Sequence, residues 1–349
     1  MAQTRTTGTH PDGAGLGRSA TRGHRWGLRR LPGDGGRGWR DGTWRRGWIL
    51  AVMGLLVGLL MFFHDQVPNS LGNLGSLVDT FLPWFGLAVP VLLVCATLRR
   101  SATALAGLVL PLLVWGNLFG GLVMPGKSGG PHNLRVLTHN VDAANADPSL
   151  TARDVVAAGA DVVALEELTE QAKPVYTKAL AAKYKYHVDR GTVGLWSRYP
   201  VTEQKSVDVG LGWTRALRAQ VDTPQGPVAF YVAHLASVRV DSSGFTSDQR
   251  NRTTRQLGRQ ISADPLQRVV LMGDLNGTAN DRSLAPITSG LRSAQGAAGD
   301  GFGFSWPSGF PMARIDHILV RGVTPARSWV LPDTGSDHRP VAADLNVRP

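Results

Sequence analysis

The chain has 349 residues, 43% of them hydrophobic, which is enough for one large domain or two to three smaller ones with real cores. Its net charge of +11 is unevenly spread: residues 1–46 hold ten Arg against three Asp, whereas from His132 onward 24 Lys and Arg face 21 Asp and Glu. The high pI therefore does not make the folded part a nucleic-acid binder, and the single cysteine, Cys95, excludes an intrachain disulfide or a cysteine-based metal site.

Residues 1–46, rich in Arg, Gly and Thr without a hydrophobic period, are expected to be a disordered basic cytoplasmic tail. A solvated tail that helps set topology is the plainer reading, and an arm for anionic lipid or nucleic acid the sharper one. Three apolar runs follow, Gly47–Phe63, Phe81–Leu98 and Ala102–Met124, and together they predict a three-helix membrane anchor over 47–124. Pro83, Pro90 and Pro111 inside them are tolerable in a membrane bundle. Arg45 and Arg46 abut the first run, Arg99 and Arg100 link the second and third, and the 64–80 loop has no Lys or Arg. The positive-inside rule then puts the tail and the Arg99–Arg100 turn in the cytoplasm and everything after Met124 outside. A twin-arginine signal lacks a small-residue cleavage site nearby.

Residues 125–133 (PGKSGGPHN) read as a linker, and 134–349 as the catalytic domain. Strands are predicted at Leu134–Val141, Asp161–Leu165, Val193–Ser197, Ala216–Val221, Val228–Ala233, Val269–Met272, Ile315–Val320 and Pro340–Leu345. Helices are predicted from Pro148 to Ala158, capped by Asp147, and over Ser247–Ile261. Strands mixed with helices and hairpin turns imply an α/β sandwich rather than a doubly wound parallel sheet.

Polar residues suited to metal or phosphate follow strand-like runs five times: Asn140 in LRVLTHNV, Glu167 in DVVALEEL, His234 in VAFYVAHL, Asp274 and Asn276 in VVLMGDLNG, and Asp316 (RIDHILV) with Asp337-His338 (GSDHRPV). One Asp after a strand is more often a turn or a helix cap. The ordered set resembles the endonuclease/exonuclease/phosphatase superfamily, the deoxyribonuclease-I-like fold, over roughly His132 to Pro349. The added helices and the Glu166-Glu167 pair resemble its membrane-anchored actinobacterial branch of the VanJ type. The resemblance implies a four-layer α/β/β/α sandwich behind the three helices, and phosphoester hydrolysis with Mg²⁺ or Mn²⁺.

Residue chemistry agrees. A hard divalent ion on carboxylate and amide oxygens offsets the repulsion between a phosphate and an attacking oxygen. Glu167 is the natural ligand, with Asn140 beside it and Asp337 a third candidate. Glu166 stands where the family usually has Gln, and either adds charge to the site or points to the other sheet face. Asp274 holds the family position for orienting and deprotonating the water, and Asn276 for a hydrogen bond to the phosphoryl oxygens. His338 contacts the phosphate or transfers a proton, with Asp316 fixing its tautomer, and His234 contacts the phosphate or assists the leaving group. His139 and His317 read as packing residues, Arg198 as a turn residue, and Arg215 and Arg218 as surface salt-bridge formers, with approach to the substrate the alternative.

The leading expectation is a membrane-tethered, outward-facing phosphohydrolase whose substrate is a lipid-linked phosphate or pyrophosphate, since tethering concentrates membrane substrates. Its partners are then the lipid bilayer and a phosphorylated substrate. The alternatives are a surface nuclease, disfavoured by the near-neutral domain charge, and a non-catalytic binding protein that has kept the fold.

Overall fold

The computed structural model describes residues 46–124, 126–238, 240–241 and 244–348, so the basic tail and its expected disorder lie, Arg46 aside, outside the described residues. Three apolar helices come first: α1 (Trp48–Phe62), α2 (Leu74–Leu98) and α3 (Ala102–Val123). The second begins seven residues before the apolar run that predicted it, because Leu74–Phe81 forms a helical turn that continues into the run through a 3₁₀ stretch. Among the described residues, only α2 and α3, at 25 and 22 residues, are long and apolar enough to cross a membrane, while α1 has 15. Each proline sits where a helical segment restarts: Pro83 in the 3₁₀ stretch, Pro90 in Ala88–Leu98 and Pro111 in Val109–Val123. Amide groups there lack intrahelical partners in any case, so a missing N–H costs little. Gly54 and Gly58 let α1 lie close on α3: a Cβ at Gly54 would come within 2.7 Å of the Gly107 carbonyl oxygen.

The body beyond is two six-stranded sheets. The first runs in the order β13-β14-β1-β2-β4-β3, from β1 (Leu134–Asn140), β2 (Val162–Glu166), β3 (Tyr186–Arg190), β4 (Val193–Ser197), β13 (Thr324–Val330) and β14 (Val341–Asn346). The second runs β11-β12-β10-β7-β6-β5, from β5 (Val201–Ser206), β6 (Ala216–Thr223), β7 (Gly226–Ala233), β10 (Val269–Asp274), β11 (Arg292–Ser293) and β12 (Asp316–Arg321). A small ribbon pairs β8 (Val240–Asp241) with β9 (Gly244–Phe245). Val136, Ala164, Leu195, Phe230, Val270 and Ile318 fill the space between the sheets. On the outer face of the first sheet lie α4 (Pro148–Ala157) and α5 (Lys173–Leu180), which bury Ala152, Val155, Tyr176 and Leu180 against Leu137 and Trp196. On the outer face of the second lies α6 (Asp248–Ser262), with Leu257 and Ile261 inward. The order is therefore helix, sheet, sheet, helix, as the α/β sandwich expectation requires. Asp147 caps α4 by accepting the Leu150 amide at 3.0 Å.

The apolar helices dock directly on this body. Asp79 accepts from His64 Nδ1 at 2.8 Å, and its carbonyl accepts from Thr278 Oγ1 at 3.1 Å. Ser76 donates to Asp281, which is also paired with the fully buried Arg250. Trp84 donates to the Met312 carbonyl at 2.8 Å, and Phe302 packs among Trp115 and Phe119.

Candidate active site

The sheets bring the polar strand ends together at one edge. Asn140 and Glu166 are register partners at the ends of β1 and β2, and Asp274 and Asp316 at the ends of β10 and β12. Asn140 bridges the sheets: its Nδ2 donates to Asp274 Oδ2 at 3.1 Å and to Glu167 Oε1 at 3.2 Å.

Glu166, as the register partner of Asn140, belongs on the face of β2 that turns to the inter-sheet space, where Thr138 Oγ1 donates to it at 2.9 Å. Burial pushes its carboxyl well above the ordinary range, and Asp316 adds to the effect. Strand alternation would send Glu167 the opposite way. Its φ of 61° turns the backbone left-handed instead, so its carboxylate reaches both Asn140 and the Ala143 amide, the latter at 3.0 Å. Both glutamates thus arrive at the same edge, Glu166 buried and Glu167 open to the cleft.

Asp274 ends β10 after Gly273, whose φ of 145° no other residue adopts easily, and a Cβ there would meet the Ala233 carbonyl oxygen at 1.9 Å. Asp274 Oδ1 accepts the Asn276 amide at 2.8 Å, and the Asn276 side chain donates to the Leu235 carbonyl at 3.1 Å. Burial raises the Asp274 carboxyl to about 7, with Asp316 adding and His338 opposing. Asp316 Oδ2 takes His338 Nδ1 at 2.8 Å and Ser305 Oγ at 2.6 Å. Burial works against charge on His338, yet Asp316, Asp274 and Asp337 prevail and push its pKa up to about 10, so it is an imidazolium at neutral pH. His338 Nε2 is left facing Asp274 at 3.8 Å.

His234 lies between the two carboxylates, its Nε2 3.5 Å from Asp274 and 3.6 Å from Glu167. Burial and the Arg215 guanidinium against its ring hold it neutral. Asp337 is the outermost member: its side chain is 56% exposed, and it accepts from Trp306 Nε1 at 3.4 Å, with no hydrogen bond to Asn140 or Glu167.

Asp274, Asp316 and His338 form a close group of possible ligand atoms. Asp316 Oδ2, however, is already committed to an imidazole and a hydroxyl, which makes Asp316–His338 an orienting pair. Carboxylate and amide oxygens are the harder donor set, and that suits Mg²⁺ or Mn²⁺. Glu167 supplies the carboxylate, whereas Asn140 turns its Nδ2 to Glu167 and Asp274 and its Oδ1 to the Asp142 amide at 3.1 Å, so its oxygen joins only with the amide turned over. The Glu167 and Asp274 carboxylates converge on that single amide at the mouth of the cleft, where a divalent cation would offset their repulsion.

Arg215 and Arg218 are not surface salt-bridge residues. Arg215 is buried with its Nε unpartnered, and Arg218 is buried on Asp264 at 2.5 Å. His139, on Thr334 at 2.8 Å, and His317, on the Gly277 carbonyl at 2.8 Å, are packing residues as expected. Ser305 lies in no motif, and Ser336 lies in the GSDHRPV motif but was given no role by it. They support the site through Asp316 and through the Asn140 carbonyl, which Ser336 Oγ meets at 2.7 Å. A cavity of about 690 Å³ opens beside the site, lined by Trp213, Arg215 and Arg252 and closed on one side by residues 69–73 of the apolar segment.

The chain matches the Endonuclease/Exonuclease/phosphatase family over residues 137–338, and no curated protein matches it. Among solved structures, humanized D. rerio TDP2 with 14 mutations is 22% identical at a TM-score of 0.51, covering 61% of this chain and 98% of that one. A functionally unknown conserved protein from Enterococcus faecalis is 14% identical at 0.53, covering 62% and 100%. A mannosyl-6-phosphatase from Bacteroides thetaiotaomicron is 17% identical at 0.52, covering 61% and 99%. At such identities the likeness is one of fold.

Proposed function

Because this chain belongs to the endonuclease/exonuclease/phosphatase family, we propose that it is a divalent-metal-dependent phosphohydrolase, anchored in a membrane with its catalytic part outside. Members of the family are mostly metal-dependent phosphoester hydrolases. The observation that carries the reading is the meeting of Glu167 and Asn140, Asp274 and Asn276, and the Asp316–His338 pair at one sheet edge.

Glu167 would hold the ion together with Asn140 Oδ1, once the Asn140 amide turns over from the position in which its Nδ2 faces Glu167 and Asp274, and Asp337 would complete the set from the rim. The ion supplies Lewis-acid polarisation of a phosphoryl oxygen. Asp274, whose pKa lies near neutrality, orients a water and takes its proton. His338 presents Nε2 to the phosphate as a cation, because Asp316 occupies Nδ1. Asn276 donates to a phosphoryl oxygen once its side chain leaves the Leu235 carbonyl. Neutral His234, backed by Arg215, contacts the phosphate or assists the leaving oxygen.

The membrane reading rests on α2 and α3 and on aliphatic side chains exposed along all three helices, among them Ile49, Leu56, Val91, Leu98 and Leu113. The close glycine contacts of α1 with α3 are of the kind membrane helices use, so α1 joins them as a third crossing, as in the VanJ-type branch. With the Arg99–Arg100 turn inside, the catalytic part lies outside, and a lipid-linked phosphate or pyrophosphate is the substrate such a site meets. The test is an activity panel on the full chain in detergent, comparing a lipid pyrophosphate, a phospholipid and DNA, each with Mg²⁺, Mn²⁺ or EDTA. Metal-dependent turnover of the lipid pyrophosphate is expected. Turnover of DNA alone would support the nuclease reading, and no turnover the binding-protein reading.

A further inference from the structure

We infer that the cleft between α2, α3 and the Phe302–Phe304 segment holds the hydrocarbon chain of the substrate while its phosphate lies at the catalytic edge. The inference rests on the phosphohydrolase reading and adds to it a site for the chain. The cleft has a volume of about 450 Å³, within the roughly 300–1,000 Å³ usual for ligand sites. Trp84, Leu87, Leu112, Trp115, Phe302 and Phe304 line it.

Its chemistry admits hydrocarbon. The two indole N–H groups in its walls are already used: Trp84 donates to the Met312 carbonyl at 2.8 Å and Trp115 to the Pro83 carbonyl at 2.9 Å. What remains facing the cavity is aliphatic surface and ring faces. A polar headgroup would lose its water there without gaining partners. Gly86 lets the Trp115 indole lie directly on α2, since a Cβ at that position would fall 2.1 Å from Trp115 Nε1.

Its position selects the source of the chain. Leu87 and Leu112, each 56% exposed, carry the lining out onto the aliphatic surface that α2 and α3 turn to the bilayer. Leu87 and Leu112 stand near the midpoints of α2 and α3, and Trp84 and Trp115 lie on the side of them away from the Arg99–Arg100 turn. A chain can therefore enter sideways at mid-bilayer depth, with the aromatic walls leading outward from there, without crossing water.

The inner wall reaches the chemistry. Phe304 stacks on Phe302 at 5.0 Å and on Trp84 at 5.8 Å. The next residue is Ser305, which donates to Asp316, and the one after is Trp306, which donates to Asp337. One short segment thus forms the wall of the apolar cleft and supports the catalytic pair. Phe310, exposed and 6.3 Å from Trp84, stands on the same segment.

The experiment uses the full chain in phosphatidylglycerol nanodiscs and a hexadecyl diphosphate bearing a terminal diazirine. After irradiation, label is expected on peptides containing Trp84–Pro90, Leu112–Trp115 or Phe302–Phe304, and excess unlabelled hexadecyl diphosphate should remove it. Label spread over α1, or label removed no better by hexadecyl diphosphate than by added phospholipid, overturns the proposal in favour of a resident bilayer lipid. In parallel, kcat/KM is measured for hexadecyl and butyl diphosphate. Wild type should prefer the long chain, and Leu112→Trp, which narrows the mouth, should cut the long-to-short ratio at least tenfold through KM. Absence of any chain-length preference in the wild type also overturns it. Failure to hydrolyse any alkyl diphosphate or alkyl phosphodiester with Mg²⁺ or Mn²⁺ counts against the hydrolase reading alone, because the labelling still decides what the cleft binds.

Discussion

Glu167 reaches Asn140 only because its backbone turns left-handed at the end of β2, a conformation that costs a non-glycine residue about 1–3 kcal/mol. Glu167→Gln keeps that turn and removes the charge. Divalent-ion affinity, followed by titration calorimetry, should drop, and turnover with it; an unchanged titration would take Glu167 out of the ligand set. Asp274→Asn and His338→Ala should each lower kcat by about 10²–10⁴, the usual range for acid–base groups. The double variant should lose less than the product of the two, since the groups act on one phosphate. The Asp316–His338 pair also gives a signed pH dependence. The imidazole's folded pKa, about 10, lies above its ordinary value of about 6.5, so the pair's stabilisation is fully present below about pH 6.5 and is lost as pH rises through about 10. Denaturant midpoints of the metal-free protein should fall across that window, and Asp316→Asn should flatten the fall.

Among the elements, the loop after β10 is held from two sides. Arg250 on α6 is fully buried, reaches the Asn276 carbonyl at 3.1 Å and pairs with Asp281, while Ser76 of the apolar segment also donates to Asp281. Asp281→Ala strands a buried guanidinium, and loss of one partner of such a pair costs about 3–5 kcal/mol. A urea titration in mild detergent should register that loss, and a midpoint equal to wild type would mean the pair is dispensable. This loop also marks a limit of the sequence. Gly-Asp-x-Asn was legible as a motif, but nothing in it points to Arg250, some 24 residues earlier on another element. Ser305 escaped notice likewise, because a lone serine carries no spacing signal, and the support Ser336 gives to the Asn140 carbonyl is a contact across the fold that its place in GSDHRPV does not reveal. The unread strands longer than two residues share a cause. β3 and β13 are the edges of the first sheet and β5 is an edge of the second. Edge strands carry polar residues and proline, as in the TEQKS of β5 and Pro325 of β13, and so lose the apolar pattern that revealed the central strands. The Glu166/Glu167 question needed φ, which alternation cannot supply.

For the molecule as a whole, the number of crossings decides which side carries the chemistry. Three place the basic tail and the catalytic part on opposite faces, and two place them together. With Cys95 replaced, a cysteine introduced within 126–133 should react with an impermeant thiol reagent in intact cells, and one near Arg30 should not. Labelling of both positions or neither would mean an even number of crossings, and the reverse pattern would invert the orientation.

The contacts of Asp79, Ser76 and Trp84 with the catalytic body have a kinetic consequence. A catalytic part on a floppy tether would sample a hemisphere and strike substrates in solution as readily as in the lipid. On the proposed membrane reading, a cleft clamped at a polar and an aromatic belt would stay at a fixed height and would meet chiefly what diffuses laterally to it. Encounter then becomes two-dimensional. In mixed micelles the rate should track the mole fraction of substrate in the amphiphile, and fall when inert detergent is added at constant bulk substrate concentration.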